Sequence, residues 1–227
     1  MACLLGDDRP SMIRCSTSLW SADLGNLAAE MRRVEPFSDR WHLDVADGHY
    51  VHNLLFFPDL VAQLRKHSAL PFEVHLMVTD PSSWIDPFIE AGADIIIFCH
   101  DASPTPLKLL QTIRGRGKQA GVSLLIDEPI ELLEPLWPQL DVLTIVGTAM
   151  GIKGAGMDPR VPEKIRQARQ IIQERALPCI VEADGGIRRE TVPLMAKAGV
   201  DFIVPGSLMF RENPPEMRQW LAGLPSI

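Results

Sequence analysis

Short apolar, β-branched runs alternate with longer segments of mixed polarity along this chain. The runs predict strands near residues 13–19, 41–45, 72–77, 94–98, 119–125, 141–146, 178–183 and 201–205. Many lack clean alternation, as expected where helices cover one face of a sheet and side chains fill the other. The intervening segments predict helices near 24–35, 57–67, 83–91, 105–115, 130–136, 160–174, 189–198 and 214–221. Eight strand–helix pairs point to an α/β protein built as a single (β/α)8 TIM barrel rather than an open doubly wound sheet.

Punctuation supports the repeated unit. Glu90-Ala91-Gly92-Ala93-Asp94 and Lys197-Ala198-Gly199-Val200-Asp201 share one pattern: a helix ends, a glycine stops it, and an aspartate precedes an apolar strand. The glycine tolerates the left-handed conformation that other residues resist. Asp80-Pro81 fits a helix start, with Pro81 near the first helical position. No linker or low-complexity tract interrupts the chain, so residues 1–227 are expected to form one domain.

Composition narrows the functional classes. The chain is 46% hydrophobic with a formal net charge of −7, which gives no reason to expect a nucleic-acid partner. Arg32-Arg33 reads as a solvated helix face. Cys3, Cys15, Cys99 and Cys179 show no metal-binding CxxC spacing, and buried free thiols are expected. No run approaches the roughly 18 apolar residues of a membrane span, and residues 1–10 lack a signal pattern. The default expectation is a cytoplasmic protein with no membrane partner.

The chemistry concentrates at strand ends. His42-Leu43-Asp44 places two polar side chains on one side of a strand, because residues two apart point the same way. His75 lies near the end of the third predicted strand and Asp184 at the end of the seventh. In a barrel, the carboxyl ends of the strands form the active-site rim. Two imidazoles and two carboxylates there would suit one divalent ion such as Zn2+, Mn2+ or Fe2+. His49, His52 and His100 are weaker candidates in adjoining loops.

His42-Leu43-Asp44-Val45-Ala46-Asp47-Gly48-His49-Tyr50-Val51-His52-Asn53 resembles the signature of the ribulose-phosphate 3-epimerase family, H-x-D-V-M-D-G-x-F-V-P-N. Ser18 to Asp23 is similar to the family's S-I-L-S-A-D, and Val74 to Val78 matches its V-H-L-M-V. Ala183 to Ile187 resembles V-D-G-G-I, and Gly206 to Phe210 resembles G-S-A-x-F. These matches follow the family order from about residue 13 to residue 210. The resemblance implies a divalent metal held by His42, Asp44, His75 and Asp184. It also implies that Asp44 and Asp184 are the acid–base pair in 3-epimerisation of a ketose phosphate. Ser18, His75 and Met77 are then substrate-contacting positions. Gly185, Gly186, Gly206 and Ser207 lie in loops after the seventh and eighth strands, where such barrels bind phosphate. Homo-oligomers are common in the family. Trp20, Trp41 and Trp84 are equally suited to cores and to interfaces.

Departures from the pattern concern the substrate. The family's T-V-x-P-G-F-G-G-Q-x-F segment is replaced by Gly147-Thr148-Ala149-Met150-Gly151-Ile152-Lys153-Gly154-Ala155-Gly156-Met157. Gly151 and Gly154 are kept, and Lys153 enters as either a point charge for substrate or a solvent-facing lysine on a flexible lid. Ala46 stands where methionine is usual, which predicts a larger pocket or a different neighbour. His52 replaces a proline, and Val146 replaces a common methionine. Ribulose 5-phosphate, a tetrulose phosphate and a hexulose phosphate all remain open as substrates. Two other functions compete: an isomerase or lyase sharing the enediolate, and a non-catalytic sugar-phosphate-binding protein.

Overall fold

Eight parallel strands close into a barrel in the computed structural model, which describes residues 12–224. The strands are β1 (Arg14–Ser18), β2 (Arg40–Asp47), β3 (Leu54–Leu55), β4 (Phe72–Met77), β5 (Ile95–Cys99), β6 (Gln119–Leu125), β7 (Val142–Val146), β8 (Ile180–Asp184) and β9 (Phe202–Ile203). β3 is a two-residue addition, antiparallel to the end of β2, and the pairing of β1 with β2 closes the ring. The helices are α1 (Leu27–Val34), α2 (Pro58–Arg65), α3 (Ile85–Glu90), α4 (Pro106–Gly115), α5 (Val161–Glu174), α6 (Val192–Ala196), α7 (Ser207–Phe210) and α8 (Pro214–Ala222). Among the described residues, no helix is long and apolar enough to cross a membrane.

Every predicted strand position carries a strand, but one predicted helix does not form. Residues 130–136 make 3-10 turns at Ile130–Leu133, followed by another at Trp137–Gln139. Pro135 and Pro138 each remove a backbone donor, so a continuous α-helix is not available there. The start of the third predicted helix is likewise a 3-10 turn, Pro81–Ser83, capped by Asp80 Oδ1 accepting from the Ser82 N–H at 3.1 Å. β3 and α7 were not anticipated, because two- and four-residue elements leave no periodic signal.

Side-chain alternation divides the molecule into two layers. Trp41, Leu43, Val45, Val74 and Leu76 point outward into the main apolar core beneath the helices. Arg40, His42 and Asp44 on β2, with Glu73 and His75 on β4, belong to the alternate set. All five are buried, which makes this sector of the barrel interior polar. Ile95, Ile97 and Val142 form a separate apolar cluster. Cys15, Cys99 and Cys179 are buried free thiols, as expected, while Cys3 and the amino-terminal stretch read for a signal lie outside the described residues.

The Gly-x-Asp repeats have a structural purpose. Gly92 and Gly199 adopt φ of 104° and 90°, ending α3 and α6 in the left-handed region. The aspartates that follow clamp neighbouring strands at their amino ends. Asp94 Oδ2 accepts the Phe72 N–H at 3.0 Å, and Asp201 Oδ2 accepts the Val181 N–H at 2.8 Å. Asp39 and Asp141 do the same for Cys15 and Ala120, at 2.7 and 2.9 Å. Each carboxylate also pairs with an arginine: Arg65, Arg169, Arg218 and Arg114 respectively. This collar pins strand register at the amino ends of the strands, away from Asp44 and Asp184 near the carboxyl ends of theirs.

Candidate active site

Parallel register brings the predicted residues together. Asp44 pairs with His75 across β2 and β4, Ser18 aligns with His42 across β1 and β2, and Asp184 ends β8. One donor atom from each of His42, Asp44, His75 and Asp184 lies within 4.8 Å of all the others. His42 Nε2 is 3.3 Å from Asp44 Oδ1, and His75 Nδ1 is 3.9 Å from an oxygen of both Asp44 and Asp184. Ser18 Oγ donates to Asp44 Oδ2 at 2.7 Å, which orients that carboxylate.

The fit to a cation rests on two orphaned atoms. His42 Nε2 and His75 Nδ1 are buried and have no hydrogen-bond partner. Burying unsatisfied ring nitrogens beside two carboxylates is costly unless something is bound there. A nitrogen–oxygen donor set of this kind has the capacity to hold a divalent metal ion.

The electrostatics separate the two carboxylates. Burial pushes Asp44 up, but His42, His75 and the Ser18 hydroxyl outweigh it and hold the group below its ordinary range. Burial pushes Asp184 up, and Asp44 adds to that push against the pull of His42. Burial resists charge on His42, yet Asp44 and Glu73 prevail and raise it. Burial and the neighbouring His42 bring His75 down to about 4.

A second buried layer lies beneath, and sequence reasoning missed it. Arg40 Nη2 is 2.7 Å from Glu73 Oε2 and also pairs with Glu182 Oε2. The guanidinium stacks 3.7 Å from the centre of the Phe202 ring. Ser16 Oγ donates to Glu73 Oε1 at 2.6 Å, and Thr144 Oγ1 donates to Glu182 Oε1 at 3.0 Å. The signal was available: Arg40 and Glu73 each sit two residues before a histidine, and Glu182 two before Asp184, so all three face inward with them.

Above the cluster, a cavity of about 120 Å3 opens at the mouth of the barrel. Ser18, Asp44, Met77 and Asp184 line its floor. Gly151, Lys153 and Gly154 line one wall; Gly185, Gly186, Gly206 and Ser207 also contribute. His42 and His75 lie below this lining. Gly186, at φ 68°, passes so close to Met157 that a Cβ would come within 2.6 Å of its backbone. Trp20, Met150 and Arg188 also face the cavity; Trp20 and Met150 fall in compared segments without a predicted site role, and Arg188 falls in none.

The glycine-rich loop after β7 is tied down on both sides. Lys153 Nζ donates to the Trp20 carbonyl at 2.6 Å and sits 5.7 Å from that indole's centre. Arg188 Nη2 donates to the carbonyls of Gly154 and Ala155, at 2.6 and 3.2 Å. Lys153 is solvent-exposed, as one of the two alternatives has it, with its ammonium tied to the Trp20 carbonyl. Ala46 meets different neighbours, as one of the two alternatives has it: it packs in a cluster with Val51, Met77 and Cys99, bordered by Tyr50 and Met150. Trp41 is fully buried core, Trp20 stands at the mouth, and Trp84 is surface-exposed. His49 and His52 are exposed, and His100 pairs with Glu128 at 2.9 Å; none joins the cluster.

Comparison with known proteins agrees with this geometry. The profile of the Ribulose-phosphate 3 epimerase family matches residues 14–210. The ribulose-phosphate 3-epimerase of Treponema pallidum (strain Nichols) is 37% identical over 194 residues, covering 85% of this chain and 89% of that protein. The enzyme of the same name from Bacillus subtilis (strain 168) is 33% identical over 204 residues, covering 89% and 94%. Among solved structures, 3-hexulose-6-phosphate synthase from Salmonella typhimurium superposes with a TM-score of 0.67 at 16% identity, covering 93% of this chain and 98% of that one. At that identity the likeness speaks for the barrel alone.

Proposed function

Since the chain belongs to the ribulose-phosphate 3-epimerase family and is an isomerase of sugar phosphates, we propose that it inverts C3 of a ketose phosphate with Asp44 and Asp184 as the two proton-transfer groups. The observation that carries this reading is the convergence of His42, Asp44, His75 and Asp184 under one cavity. Ribulose 5-phosphate and xylulose 5-phosphate are the first pair to test. Tetrulose and hexulose phosphates follow, because the loop around Lys153 departs from the family pattern.

Asp44 is held ionised and is suited to take the C3 proton. Asp184 reaches the cavity from β8 rather than β2 and is suited to return a proton to the opposite face. In the reverse reaction the roles exchange. His42, Asp44, His75 and Asp184 would hold a divalent ion (Zn2+, Mn2+ or Fe2+), which would supply positive charge to offset the negative charge that proton removal from C3 creates. Ser18 keeps Asp44 pointed into the site, and Met77 provides apolar cover next to it. Gly185, Gly186, Gly206 and Ser207 line the part of the mouth suited to the phosphate, and Gly151, Lys153 and Gly154 line the same cavity.

The test is C3 proton exchange followed by NMR in deuterated water, over a panel of four- to six-carbon ketose phosphates. The reading requires metal-dependent exchange with formation of the C3 epimer from at least one of them. Exchange without any epimer, or carbon–carbon cleavage instead, would refute it.

A further inference from the structure

The two imidazoles of the cluster are held by different partners through opposite ring nitrogens. His42 turns Nε2 toward Asp44, at 3.3 Å, and its Nδ1 lies 2.7 Å from Glu73 Oε1. His75 is reversed: Nδ1 faces Asp44 and Asp184, and Nε2 lies 2.9 Å from Ser123 Oγ. The two inward nitrogens, His42 Nε2 and His75 Nδ1, are the ones left without a hydrogen-bond partner.

A neutral imidazole has one N–H and one lone pair, so an acceptor on the outer nitrogen leaves the lone pair facing inward. Glu73 has only acceptor oxygens as a carboxylate, and its position is fixed from three directions. Ser16 Oγ and His42 share Oε1, while Arg40 Nη2 approaches Oε2 at 2.7 Å. Arg40 is itself buried between Glu73 and Glu182. Ser123 is buried as well, and its neutral hydroxyl is a weaker acceptor than a carboxylate.

We propose that Glu73 and Ser123 are positioning residues that fix His42 as the Nδ1–H tautomer and His75 as the Nε2–H tautomer, so that the pair offers Nε2 and Nδ1 to one divalent cation, with Arg40 as the counter-charge that keeps Glu73 in place. The inference rests on the metal-centre reading above. It makes His42, backed by an anion, the stronger donor of the two.

Zinc-loaded protein labelled with 15N-histidine tests the orientation directly by long-range proton–nitrogen correlation. The expected spectrum has the His42 proton on Nδ1 and the His75 proton on Nε2; the opposite nitrogen on either ring overturns the proposal. Zinc affinity, measured by chelator competition, tests the partners. Glu73→Gln keeps the shape and leaves Arg40 paired with Glu182, and it is expected to weaken zinc binding about 10- to 100-fold without lowering the melting temperature of the metal-free protein. Ser123→Ala is expected to weaken it about three- to tenfold, at or below the low end of the range for such partners. Wild-type affinity in Glu73→Gln overturns the proposal. If that variant does not fold, Ser123→Ala decides, since unchanged affinity there overturns it too. A wild-type protein that binds no zinc, manganese or iron sinks the metal-centre reading and this inference with it, whereas binding with the wrong ring nitrogens sinks the inference alone.

Discussion

Asp44 and Asp184 reach the same imidazole nitrogen: His75 Nδ1 lies 3.9 Å from a carboxylate oxygen of each. Their strands, β2 and β8, are separated in the barrel by β1 and β9. The two carboxylates therefore come to the mouth from different sides, which is the arrangement an inversion needs. Asp44→Asn and Asp184→Asn are each expected to lower kcat by about 10²- to 10⁴-fold with little change in melting temperature. The two should differ in exchange. With one epimer as substrate, one variant still washes deuterium into C3 without epimerising it, and the other variant does so with the opposite epimer. Wild-type turnover in either purified variant would exclude that residue's acid–base role.

Lys153 is the one cationic side chain that the loop after β7 brings to the cavity wall, and it is bonded only to the Trp20 carbonyl. An incoming phosphate offers it a stronger acceptor than a neutral carbonyl. Lys153→Ala is expected to raise KM about tenfold, the loss of roughly one charge-assisted hydrogen bond, with kcat within about threefold. Steady-state kinetics on the ketose phosphate that proves best would check this. An unchanged KM would mean that the lysine only latches the loop.

The barrel was legible because its signal is repeated. Each apolar run is bounded by Gly, Pro or Asp, and a misplaced helix between 130 and 136 did not disturb the strand count. The four clustered residues were legible as well, since period-two alternation puts His42 with Asp44 and motif order supplies His75 and Asp184. Arg40, Glu73 and Glu182 obey the same alternation but read in isolation as ordinary surface charges. What identifies them is mutual neutralisation inside the barrel, and that depends on strands far apart in sequence. The fate of Ala46 was hidden for a similar reason: Tyr50 and Met150, which border its cluster, come from two separate loops.

Asp201 carries two jobs at the base of the barrel, accepting the Val181 N–H and pairing with Arg169, both at 2.8 Å. Its side chain is about four-fifths shielded from solvent, at 20% exposure, so screening by water is limited. Asp201→Ala would leave a strand N–H unsatisfied and an arginine unpaired. The expected cost is about 1.5–3 kcal/mol, the range for a hydrogen bond to a charged group. Urea unfolding followed by circular dichroism measures it. A change below about 0.5 kcal/mol would show that the collar does not secure the strand ends.

Asp47 gives the protein an acid-sensitive tie between two rim loops. Its carboxylate accepts the backbone N–H groups of His49 and Tyr50 at 2.9 and 2.8 Å, and that of Thr79 at 2.8 Å. Partial burial works against the charge, but these donors outweigh it and lower the group from 3.8 to about 2. A carboxylate lowered on folding contributes stability that is fully present above its unfolded value. That contribution fades as pH falls from about 4 and is gone below about 2. Asp47→Asn should therefore be less stable than the wild type at pH 7, and the gap should narrow steadily below pH 4. Melting temperatures of both proteins across pH 2 to 7 decide the point, and a gap that stays constant through the acid range would rule out Asp47 as its source.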